Sequence, residues 1–517
     1  MTCEAEAEAG SGAGAEAAHF VLVPLMAQGH MIPMVDMARL LAERGVRVTL
    51  ITTPVNAARI RPIIDQVSRS NLPVEFVELR FPCAELGLPE GSENVDLLSS
   101  PAYYKPFFDA MKLLKEPLEA LLRSQHRRPD CMIADMCNGW TKDVARRLGI
   151  QRLVFHGPSC FYILCAYNMV QHRVYDRATD ELEPIVVPDV PVEVVTNKAE
   201  SPGFFNWAGW EDLRDEVVEA ESTADGVVIN TFYDLEPSFV DCYEKIMQKK
   251  VWTVGPLCLY SKDVDSKAAR GNKAAVDHRD VTTWLDSKGA SSVFYVSFGS
   301  LVCTRPMQLI EIGKGLLECA DHRPFIWVVK EAEIVPEVEK WLLEEHFAER
   351  TKERGLLIKG WAPQTVILSH PAIGGFLTHC GWNSTLEAIS AGVPMLTWPH
   401  FADQFLNEKL VVDVLKIGRS LDVKVPSTHV TDDSTLLVTK EKLRKAVSEL
   451  MEGEEGEEMR RRAKALAEKA KKAMEEGGSS YRNMDDMIEY MAGRYGKEEK
   501  VEDAVRASPM VLAPMLS

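Results

Sequence analysis

The sequence has 517 residues, of which 46% are hydrophobic, and its 59 basic against 77 acidic side chains give a net charge of −18. This acidic balance argues against nucleic acid or an anionic membrane surface as a partner, because both carry negative charge. No apolar run is long enough to cross a bilayer, so we do not expect an integral membrane protein. The 11 cysteines form no CxxC pair, which is typical of reduced thiols in the cytoplasm.

The amino-terminal stretch divides into a polar tail and a first strand–turn–helix unit. Residues 1–18 are rich in alanine, glutamate and glycine and predict a disordered tail without a signal peptide. Residues 19–26 form an apolar strand, and a polar turn that ends at His30 leads into a helix over residues 31–44. His30 is therefore expected near the carboxyl end of the first strand.

Three further strands follow, over residues 46–53, 74–81 and 130–134, and the last of them ends at Asp135. Strands that alternate with helices predict an α/β fold with a parallel, doubly wound sheet. In a 3-2-1-4-5 strand order the first and fourth strands are neighbours, so their carboxyl ends lie side by side. We therefore expect His30 and Asp135 within hydrogen-bonding reach of each other.

The second half repeats the strand–turn–helix pattern after a polar, aperiodic linker. Residues 292–298 are its first strand, and Gly299 and Ser300 lead into the next helix. The predicted division is a tail (1–18), a first domain (19–257), a linker (258–280), a second domain (281–480), a final helix (481–496) and a second tail (497–517).

The stretch over residues 361–404 places polar loops after successive apolar runs, at the sheet edge where α/β proteins bind ligands. Ser384 and Glu387 have the S-x-x-E spacing of a capping box at a helix start. His379 and Asn383 flank the same helix N-terminus, where backbone N–H groups attract anions. This helix start is therefore a candidate site for a diphosphate.

Several other sites are disfavoured by motifs that the sequence lacks. There is no GxGxxG after the first strand and no GxxxxGK[ST], which counts against NAD and against ATP-type phosphoryl transfer. His370, His379 and Cys380 do not have the ligand spacing of a zinc site. We expect neither a metal nor a cofactor.

The motifs WAPQ, HCGWNS and DQ within residues 361–404 resemble the signature box of the plant UDP-dependent glycosyltransferases of family 1. MAQGHMIPMVDMARLLAERG, VFHGPS and SFGS resemble the group of that family often called D. The resemblance covers roughly residues 19–495 and implies a GT-B fold, in which two Rossmann-like, doubly wound domains face a cleft. It also implies that the first domain binds the acceptor, that the second binds the UDP-sugar, and that the final helix crosses back to the first.

The resemblance implies that His30 and Asp135 form a catalytic dyad. A histidine has a pKa suited to removing a hydroxyl proton at neutral pH, and a carboxylate beside it would hold the imidazole and stabilise its cation. Each residue also has a structural alternative. A histidine in a Gly-His turn is more often structural, and an aspartate that ends a strand is usually a turn residue.

For the nucleotide, the resemblance implies that Trp361 stacks on uracil, that Gln364 contacts the nucleoside and that Glu387 binds the ribose hydroxyls. The side chains expected at the diphosphate, without a metal, are Ser300, His379, Asn383 and Ser384. Ordinary alternatives are a core aromatic for Trp361, a surface position for Gln364 and helix capping for Glu387 and the residues around it.

For the sugar, the resemblance implies contacts from Trp382, Asp403 and Gln404. The final glutamine of the box is associated in the family with glucose more than with galactose. A site for glucuronate would be expected to carry a basic group near the sugar, and Trp382 is not one. Xylose and rhamnose remain open as minor donors. Asp403 has the alternative of capping its helix.

The predicted activity is inverting transfer of glucose from UDP-glucose to a hydroxyl of a small, largely apolar plant metabolite, giving a β-glucoside. Candidate acceptors are flavonoids and other phenolics, triterpenoids, steroids and hormones, with the pocket expected around residues 136–140, 159–162 and 206–210. The alternatives are a sugar-nucleotide-binding protein without activity, or C- or N-glucosyl transfer by the same site. We expect a cytoplasmic monomer.

Overall fold

The structure is a computed structural model that describes residues 17–176, 178–201, 209–319, 322–427 and 438–507, with side chains as far as residue 493. The expected tail over residues 1–18 therefore lies outside the described residues, apart from its last two. Of the second expected tail, residues 508–517 also lie outside them. Within the described chain, no helix combines the length and apolar character needed to span a bilayer.

The described residues of the first half form a seven-stranded parallel sheet. The strands of this half are β1 (His19–Val23), β2 (Arg47–Thr52), β3 (Val74–Glu78), β4 (Cys131–Asp135), β5 (Gln151–His156), β6 (Ile185–Val186), β7 (Val195–Thr196), β8 (Gly226–Ile229) and β9 (Val251–Thr253). The sheet order is β3-β2-β1-β4-β5-β8-β9, and β6 and β7 pair separately as a small antiparallel ribbon. The predicted 3-2-1-4-5 order is confirmed.

The second half builds a six-stranded parallel sheet from the residues that are described there. Its strands are β10 (Val293–Ser297), β11 (Phe325–Val329), β12 (Gly355–Lys359), β13 (Ile373–Thr378), β14 (Met395–Thr397) and β15 (Gly418–Ser420). They run in the order β12-β11-β10-β13-β14-β15, so the first strand of this half is again central. The inner strands are almost completely buried, which explains their continuous apolar sequences.

Helices cover the faces of the two sheets. Those of the first half are α1 (Gln28–Glu43), α2 (Pro54–Arg59), α3 (Arg61–Arg69), α4 (Tyr104–Lys112), α5 (Lys115–Ser124), α6 (Thr141–Leu148), α7 (Cys160–Gln171), α8 (Glu211–Ser222) and α9 (Pro237–Met247). After them come α10 (Val264–Ala268), α11 (His278–Asp286), α12 (Pro306–Leu317), α13 (Pro336–Glu344), α14 (Phe347–Thr351), α15 (Gln364–Leu368), α16 (Trp382–Ala391), α17 (Gln404–Lys409), α18 (Lys440–Glu452), α19 (Glu454–Met474) and α20 (Ser479–Ala507).

Helix α1 begins at Gln28 rather than at residue 31, so the expected polar turn is already helical. The backbone N–H of Met31 donates to the carbonyl of Ala27 (2.8 Å), and this bond closes the first helical turn around His30. The prediction that placed His30 in a turn before the helix was therefore wrong by one turn.

Two segments join the halves. The expected linker, residues 258–280, contains α10 and the start of α11 and holds the buried side chain of Arg270. The last helix, α20, runs beyond residue 496 to Ala507. Its buried methionines, Met484, Met487 and Met491, belong to the hydrophobic cluster of the first sheet.

Candidate active site

The loops that follow the strands of both sheets open onto one cavity of about 680 Å³. The loops after β1, β4 and β5 line one side, and those after β10 to β14 line the other. Ligands of parallel α/β sheets bind at this edge. The cavity wall includes eleven of the predicted site residues, namely His30, Ser300, Trp361, Gln364, His379, Trp382, Asn383, Ser384, Glu387, Asp403 and Gln404. Asp135 lies behind His30.

Pairing of β1 with β4 brings His30 and Asp135 together although they are 105 positions apart. His30 Nδ1 lies 2.8 Å from Asp135 Oδ2. The carboxylate is fully buried, and its other oxygen accepts the backbone N–H of Cys137 (2.9 Å). Because Nδ1 donates its proton to the carboxylate, Nε2 is left as the basic nitrogen. The imidazole side chain is 27% exposed, so a ligand in the cavity can reach it.

The surroundings of His30 raise the pKa of its imidazole above 6.5. Burial acts in the opposite direction and is the largest single influence, but the charge of Asp135, its hydrogen bond and the charge of Asp403 together outweigh it. This arrangement strengthens His30 as a proton acceptor.

His379 directly follows β13, and two glycines, Gly299 after β10 and Gly381 after β13, leave the space that its ring occupies. A Cβ atom on Gly381 would lie 2.4 Å from His379 Nε2, and one on Gly299 would lie 2.6 Å from Cε1. Gly299 also has a φ of +71°, a backbone angle that residues with a side chain rarely adopt. Desolvation, and then the charge of Lys330, lower the pKa of His379 to about 3. The imidazole is therefore neutral at physiological pH.

The expected capping box at α16 does not form, so that prediction was wrong. Gly381, in an extended conformation, is the N-cap, and Thr385 N–H donates to its carbonyl (3.0 Å). Ser384 and Glu387 consequently lie inside the helix. Gly381 has no side chain to cap α16, and the backbone N–H of Trp382 donates to the Asp403 carboxylate. The next residues of the first turn, Asn383 and Ser384, stand at the cavity wall, where their N–H groups face a possible anion.

Gln364 links the two residues that were expected to form the cap. Its Nε2 donates to Ser384 Oγ and to Glu387 Oε2, both at 2.8 Å. Its Oε1 accepts the hydroxyl of Tyr295 (3.1 Å). The alternative of a free surface position for Gln364 is therefore excluded.

Arg270, which the sequence did not single out, completes this network. Its guanidinium contacts Glu387 Oε1 through Nη1, and its Nε donates to Asp36 Oδ2 at 2.7 Å. Nearby, Asn272 Oδ1 accepts hydrogen bonds from Gln28 Nε2 and Arg59 Nε, both at 2.8 Å. No local signal marks these residues, because they stand in a polar stretch without periodicity.

Trp361 follows β12 and is half-buried at the cavity wall. Its carbonyl accepts the N–H of Ala275 (2.8 Å), and Gly271 approaches its ring so closely that a Cβ there would lie 2.5 Å from Cζ2. The indole is therefore held from the linker side, and the part of the ring that lines the cavity remains for a ligand.

The three predicted sugar contacts differ in how their side chains are engaged. The Trp382 indole N–H donates to the carbonyl of Asn230 (2.8 Å), so it is already used between the two halves. Gln404 Oε1 accepts the N–H of His400 (2.8 Å), which leaves the amide nitrogen for another partner. Asp403 precedes α17 but its carboxylate makes no capping bond among the described residues. Asp403 Oδ2 instead accepts from Asn407 Nδ2 (2.7 Å).

Burial raises the pKa of Asp403 to about 6, although the hydrogen bond from Asn407, another from its own backbone and the charge of His30 lower it. The charges of Asp403 and His30 therefore shift each other's pKa across the cavity.

The expected acceptor segments are only partly at the cavity wall. Met136, Cys137 and Tyr162 line it, whereas Trp140 is buried beneath. Of the segment over residues 206–210, residues 206–208 lie outside the described chain. Sequence reasoning missed other apolar lining residues, among them Leu25, Leu97 and Phe108, because nothing local distinguishes them from other apolar positions.

One group of possible metal ligands occurs among the described residues, formed by His30, Asp135 and Cys137 with ligand atoms within 4.8 Å of one another. The dyad hydrogen bond already engages His30 and Asp135. Burial, aided by the charge of Asp135, raises the pKa of the Cys137 thiol well above its usual range. A thiol that keeps its proton is a poor metal ligand.

Comparison with known families covers most of the chain. A family model described as "Glycosyltransferase, N-terminal domain" matches residues 16–259. A second, described as "UDP-glucoronosyl and UDP-glucosyl transferase", matches residues 247–454.

Individual relatives match along nearly their whole length. UDP-glycosyltransferase 73C6 of Arabidopsis thaliana is 48% identical over 476 residues, which are 91% of this chain and 96% of that protein. The crystal structure of Glycyrrhiza uralensis UGT73P12 complexed with glycyrrhetinic acid 3-O-monoglucuronide has a TM-score of 0.83 at 36% identity, covering 95% of this chain and 99% of that one. Phytolacca americana UGT2 complexed with UDP-2fluoro-glucose and pterostilbene has a TM-score of 0.72 at 28% identity, covering 92% and 100%.

Proposed function

The chain belongs to the plant family 1 UDP-glycosyltransferases, and we propose that it transfers glucose from UDP-glucose to a hydroxyl of a small, largely apolar plant metabolite. Membership of this family makes it an enzyme that moves a sugar from a UDP-sugar to an acceptor. The choice of glucose, the acceptor class and the β-glucoside product are the proposal. The observation that carries it is the 2.8 Å contact of His30 with a buried carboxylate, at the wall of the cavity that also holds the signature residues.

The reaction begins with proton transfer to His30. Its Nε2 removes the proton of the acceptor hydroxyl while Asp135 stabilises the imidazolium that forms. The hydroxyl oxygen attacks C1 of glucose from the side opposite the leaving UDP. A bond from the acceptor oxygen to C1 forms as the bond from C1 to the phosphate oxygen breaks, so the configuration at C1 inverts and a β-glucoside results. Holding both substrates in one cavity supplies much of the rate.

Departure of UDP is stabilised by groups of the second half, without a metal. The N–H groups of Asn383 and Ser384 at the start of α16 and the side chains of Ser300, His379, Asn383 and Ser384 surround the diphosphate as fixed dipoles. A neutral His379 donates a hydrogen bond without adding a titrating charge. Trp361 stacks on uracil, an interaction of about 1–3 kcal/mol for comparable base–aromatic pairs, and Glu387 accepts from the ribose hydroxyls.

Glucose is favoured as the donor sugar by the residues at the sugar end. Asp403 accepts hydrogen bonds from sugar hydroxyls, and the free amide nitrogen of Gln404 donates one. Trp382 stands beside them and carries no positive charge for a glucuronate. The complex of Phytolacca americana UGT2 with UDP-2fluoro-glucose supports a glucose-type donor for this fold.

A largely apolar acceptor is favoured by the wall opposite the signature residues. Leu25, Leu97, Phe108, Met136 and Tyr162 line this side. Related structures hold glycyrrhetinic acid 3-O-monoglucuronide and pterostilbene. We therefore propose phenolics, including flavonoids, and triterpenoids, steroids or hormones as the candidate acceptors.

A cytoplasmic location is part of the proposal. Every cysteine that the structure describes is a free thiol, and most are buried. Reduced thiols in this number suit a reducing compartment.

The test is to incubate the protein with UDP-glucose and a broad acceptor panel, following UDP release and hexose addition by mass spectrometry. UDP-galactose, UDP-glucuronate, UDP-xylose and UDP-rhamnose in parallel test the donor. C- and N-linked products are told apart from O-glucosides by their resistance to β-glucosidase. Faster transfer from any other donor would reject glucose.

His30→Ala tests the mechanism in the same assay. The variant should bind UDP as the wild type does and lose roughly 100- to 10,000-fold in turnover, because it lacks the base. His346→Ala, which changes an exposed histidine far from the cavity wall, is the matched control. Normal turnover by His30→Ala would remove His30 from the mechanism.

A further inference from the structure

Linker residues 270–275, here called the bridging segment, contact both halves of the protein at the donor end of the cavity. Asn272 accepts hydrogen bonds from Gln28 at the start of α1 and from Arg59 of α2. Ala275 donates to the Trp361 carbonyl. Gly271, with a φ of +90°, lies against the Trp361 ring where a side chain would collide. The bridging segment is therefore part of the wall of the site and not only a connection.

Arg270 forms a buried ionic group with one carboxylate from each half. Its side chain is 5% exposed, Asp36 on α1 is 1% exposed and Glu387 on α16 is 7% exposed. Nε donates to Asp36 and Nη1 contacts Glu387. Two carboxylates share one cation, and their charges raise the pKa of Arg270 despite its burial.

Glu387 is paired with this cation inside the protein. A charge removed from water needs such a partner, because burial costs an unpaired charge much of its solvation energy. The planar guanidinium also fixes the plane and direction of the carboxylate in a way that a flexible ammonium does not. Arg270 occupies one position on Oε1 and Gln364 occupies one on Oε2. Each carboxylate oxygen keeps a further lone pair for a hydroxyl.

The second carboxylate connects the same cation to the base. Asp36 lies on α1, the helix that carries His30 in its first turn. Arg270 therefore joins the helix of the predicted base to the helix of the predicted ribose contact. Across the same gap, Asn383 Nδ2 donates to the Gly29 carbonyl (2.7 Å), one residue before His30.

We propose that Arg270 is a positioning residue of the donor site that pairs with Glu387 and holds its carboxylate aimed at the ribose, and so sets the preference for ribose over 2′-deoxyribose. This inference rests on the proposed contact between Glu387 and the ribose hydroxyls. Arg270 does not touch the reacting atoms. It acts through Glu387 and connects nucleotide recognition to the position of α1.

The experiment compares the binding of UDP and 2′-deoxy-UDP to the full chain by calorimetry. The wild type should bind UDP more tightly than 2′-deoxy-UDP. Arg270→Met should weaken UDP binding at least about ten-fold, as expected when a hydrogen bond to a charged group is lost, and should change 2′-deoxy-UDP binding much less. The ratio of the two affinities then falls toward one. Lys273→Met, in the same segment but exposed, should keep the wild-type ratio.

Each outcome decides between the two proposals. A wild type that binds both nucleotides equally would reject the ribose contact of Glu387, and with it this part of the proposed function. A wild type that prefers UDP, together with an Arg270→Met variant that keeps the same preference, would overturn the role of Arg270 alone.

Two milder variants cover the case in which Arg270→Met fails to fold, as judged by thermal unfolding. Arg270→Lys keeps the charge but loses the planar fork, and Asp36→Asn keeps Arg270 but releases one of its carboxylates. We expect a reduced ratio in both, with the larger reduction in Arg270→Lys. Wild-type ratios in both folded variants would overturn the proposal.

Discussion

Two histidines of the same cavity have their pKa values moved in opposite directions. His30 lies beside a buried carboxylate and within reach of the charge of Asp403, and its pKa is raised. Desolvation and the charge of Lys330 lower the pKa of His379 to about 3. At neutral pH the first is suited to take up a proton and the second is suited to donate a hydrogen bond as a neutral ring. Opposite shifts of this kind separate the roles of otherwise identical side chains.

The pH dependence of kcat/KM should report the raised pKa of His30. The base must be unprotonated to act, so activity should fall as the pH decreases through a midpoint above 6.5. Asp403, with a pKa of about 6, should steepen the loss below that value as its carboxylate takes up a proton. His379 should not contribute, because its pKa of about 3 lies below the measured range.

Asp403→Asn checks the origin of this midpoint. The substitution removes one of the negative charges that raise the pKa of His30, so the midpoint should move to lower pH even if the rate falls. His346→Ala, at an exposed position, should leave the profile unchanged. An unmoved or higher midpoint in Asp403→Asn would contradict the coupling.

At the scale of elements, the start of α16 shows how a local pattern can be satisfied in an unexpected way. The S-x-x-E spacing of Ser384 and Glu387 is typical of a capping box, but the N-cap is Gly381, three residues before Ser384. Ser384 and Glu387 instead accept hydrogen bonds from Gln364 Nε2. A glycine there leaves room for His379 and supplies no side chain to cap the helix.

Gly381→Ala should therefore weaken UDP binding. The added Cβ would lie 2.4 Å from His379 Nε2 and displace the imidazole. Loss of one hydrogen bond to a charged group costs about 1.5–3 kcal/mol, which corresponds to roughly 10- to 100-fold in affinity. Calorimetric titration with UDP measures this loss.

Gly289→Ala is the matched control for this substitution. The nearest atom to its added Cβ is 3.8 Å away, and the residue is not part of the cavity wall. It should bind UDP as the wild type does. Equal affinity in Gly381→Ala would show that His379 does not need this space.

At the scale of the whole molecule, the candidate active site is a cavity lined by residues of both halves. Trp382 donates to Asn230 of the first half, and Asn383 donates to Gly29. Helix α20 returns the end of the chain to the first sheet, where the Trp252 indole donates to Asp486 Oδ2 (2.7 Å). Residues that a cleft enzyme needs on opposite walls are thereby held at fixed distances.

Met487→Ala tests how much the returning helix contributes. Met487 is completely buried in the cluster of the first sheet, and truncating such a side chain costs about 2–5 kcal/mol of unfolding free energy. Urea unfolding followed by tryptophan fluorescence measures this change. Glu489→Ala, on the exposed side of the same helix, should change the stability little. Equal stability of the two variants would mean that α20 is only loosely attached.

The α/β class, the strand order and the closeness of His30 to Asp135 could all be predicted from the amino-acid sequence. The strands and turns can be recognised locally from apolar runs and turn residues. The closeness of His30 to Asp135 follows from the strand order that is usual for such a sheet, in which the first and fourth strands share an edge. The signature motifs of the sequence also identified the family, and the expected GT-B fold is confirmed by the solved relatives. The roles of the individual site residues remain predictions.

Only the tertiary structure decided which partners these residues have. Arg270 is separated from Asp36 by 234 positions and from Glu387 by 117, and no periodicity connects them. Their meeting depends on how the two halves and the linker pack against one another. Burial makes the pairing necessary, because a charge removed from water must be paired. The same packing places the Trp382 indole N–H against the carbonyl of Asn230 and brings together the residues of the acceptor wall. Neither this hydrogen bond nor this set of lining residues could therefore be predicted from the sequence alone.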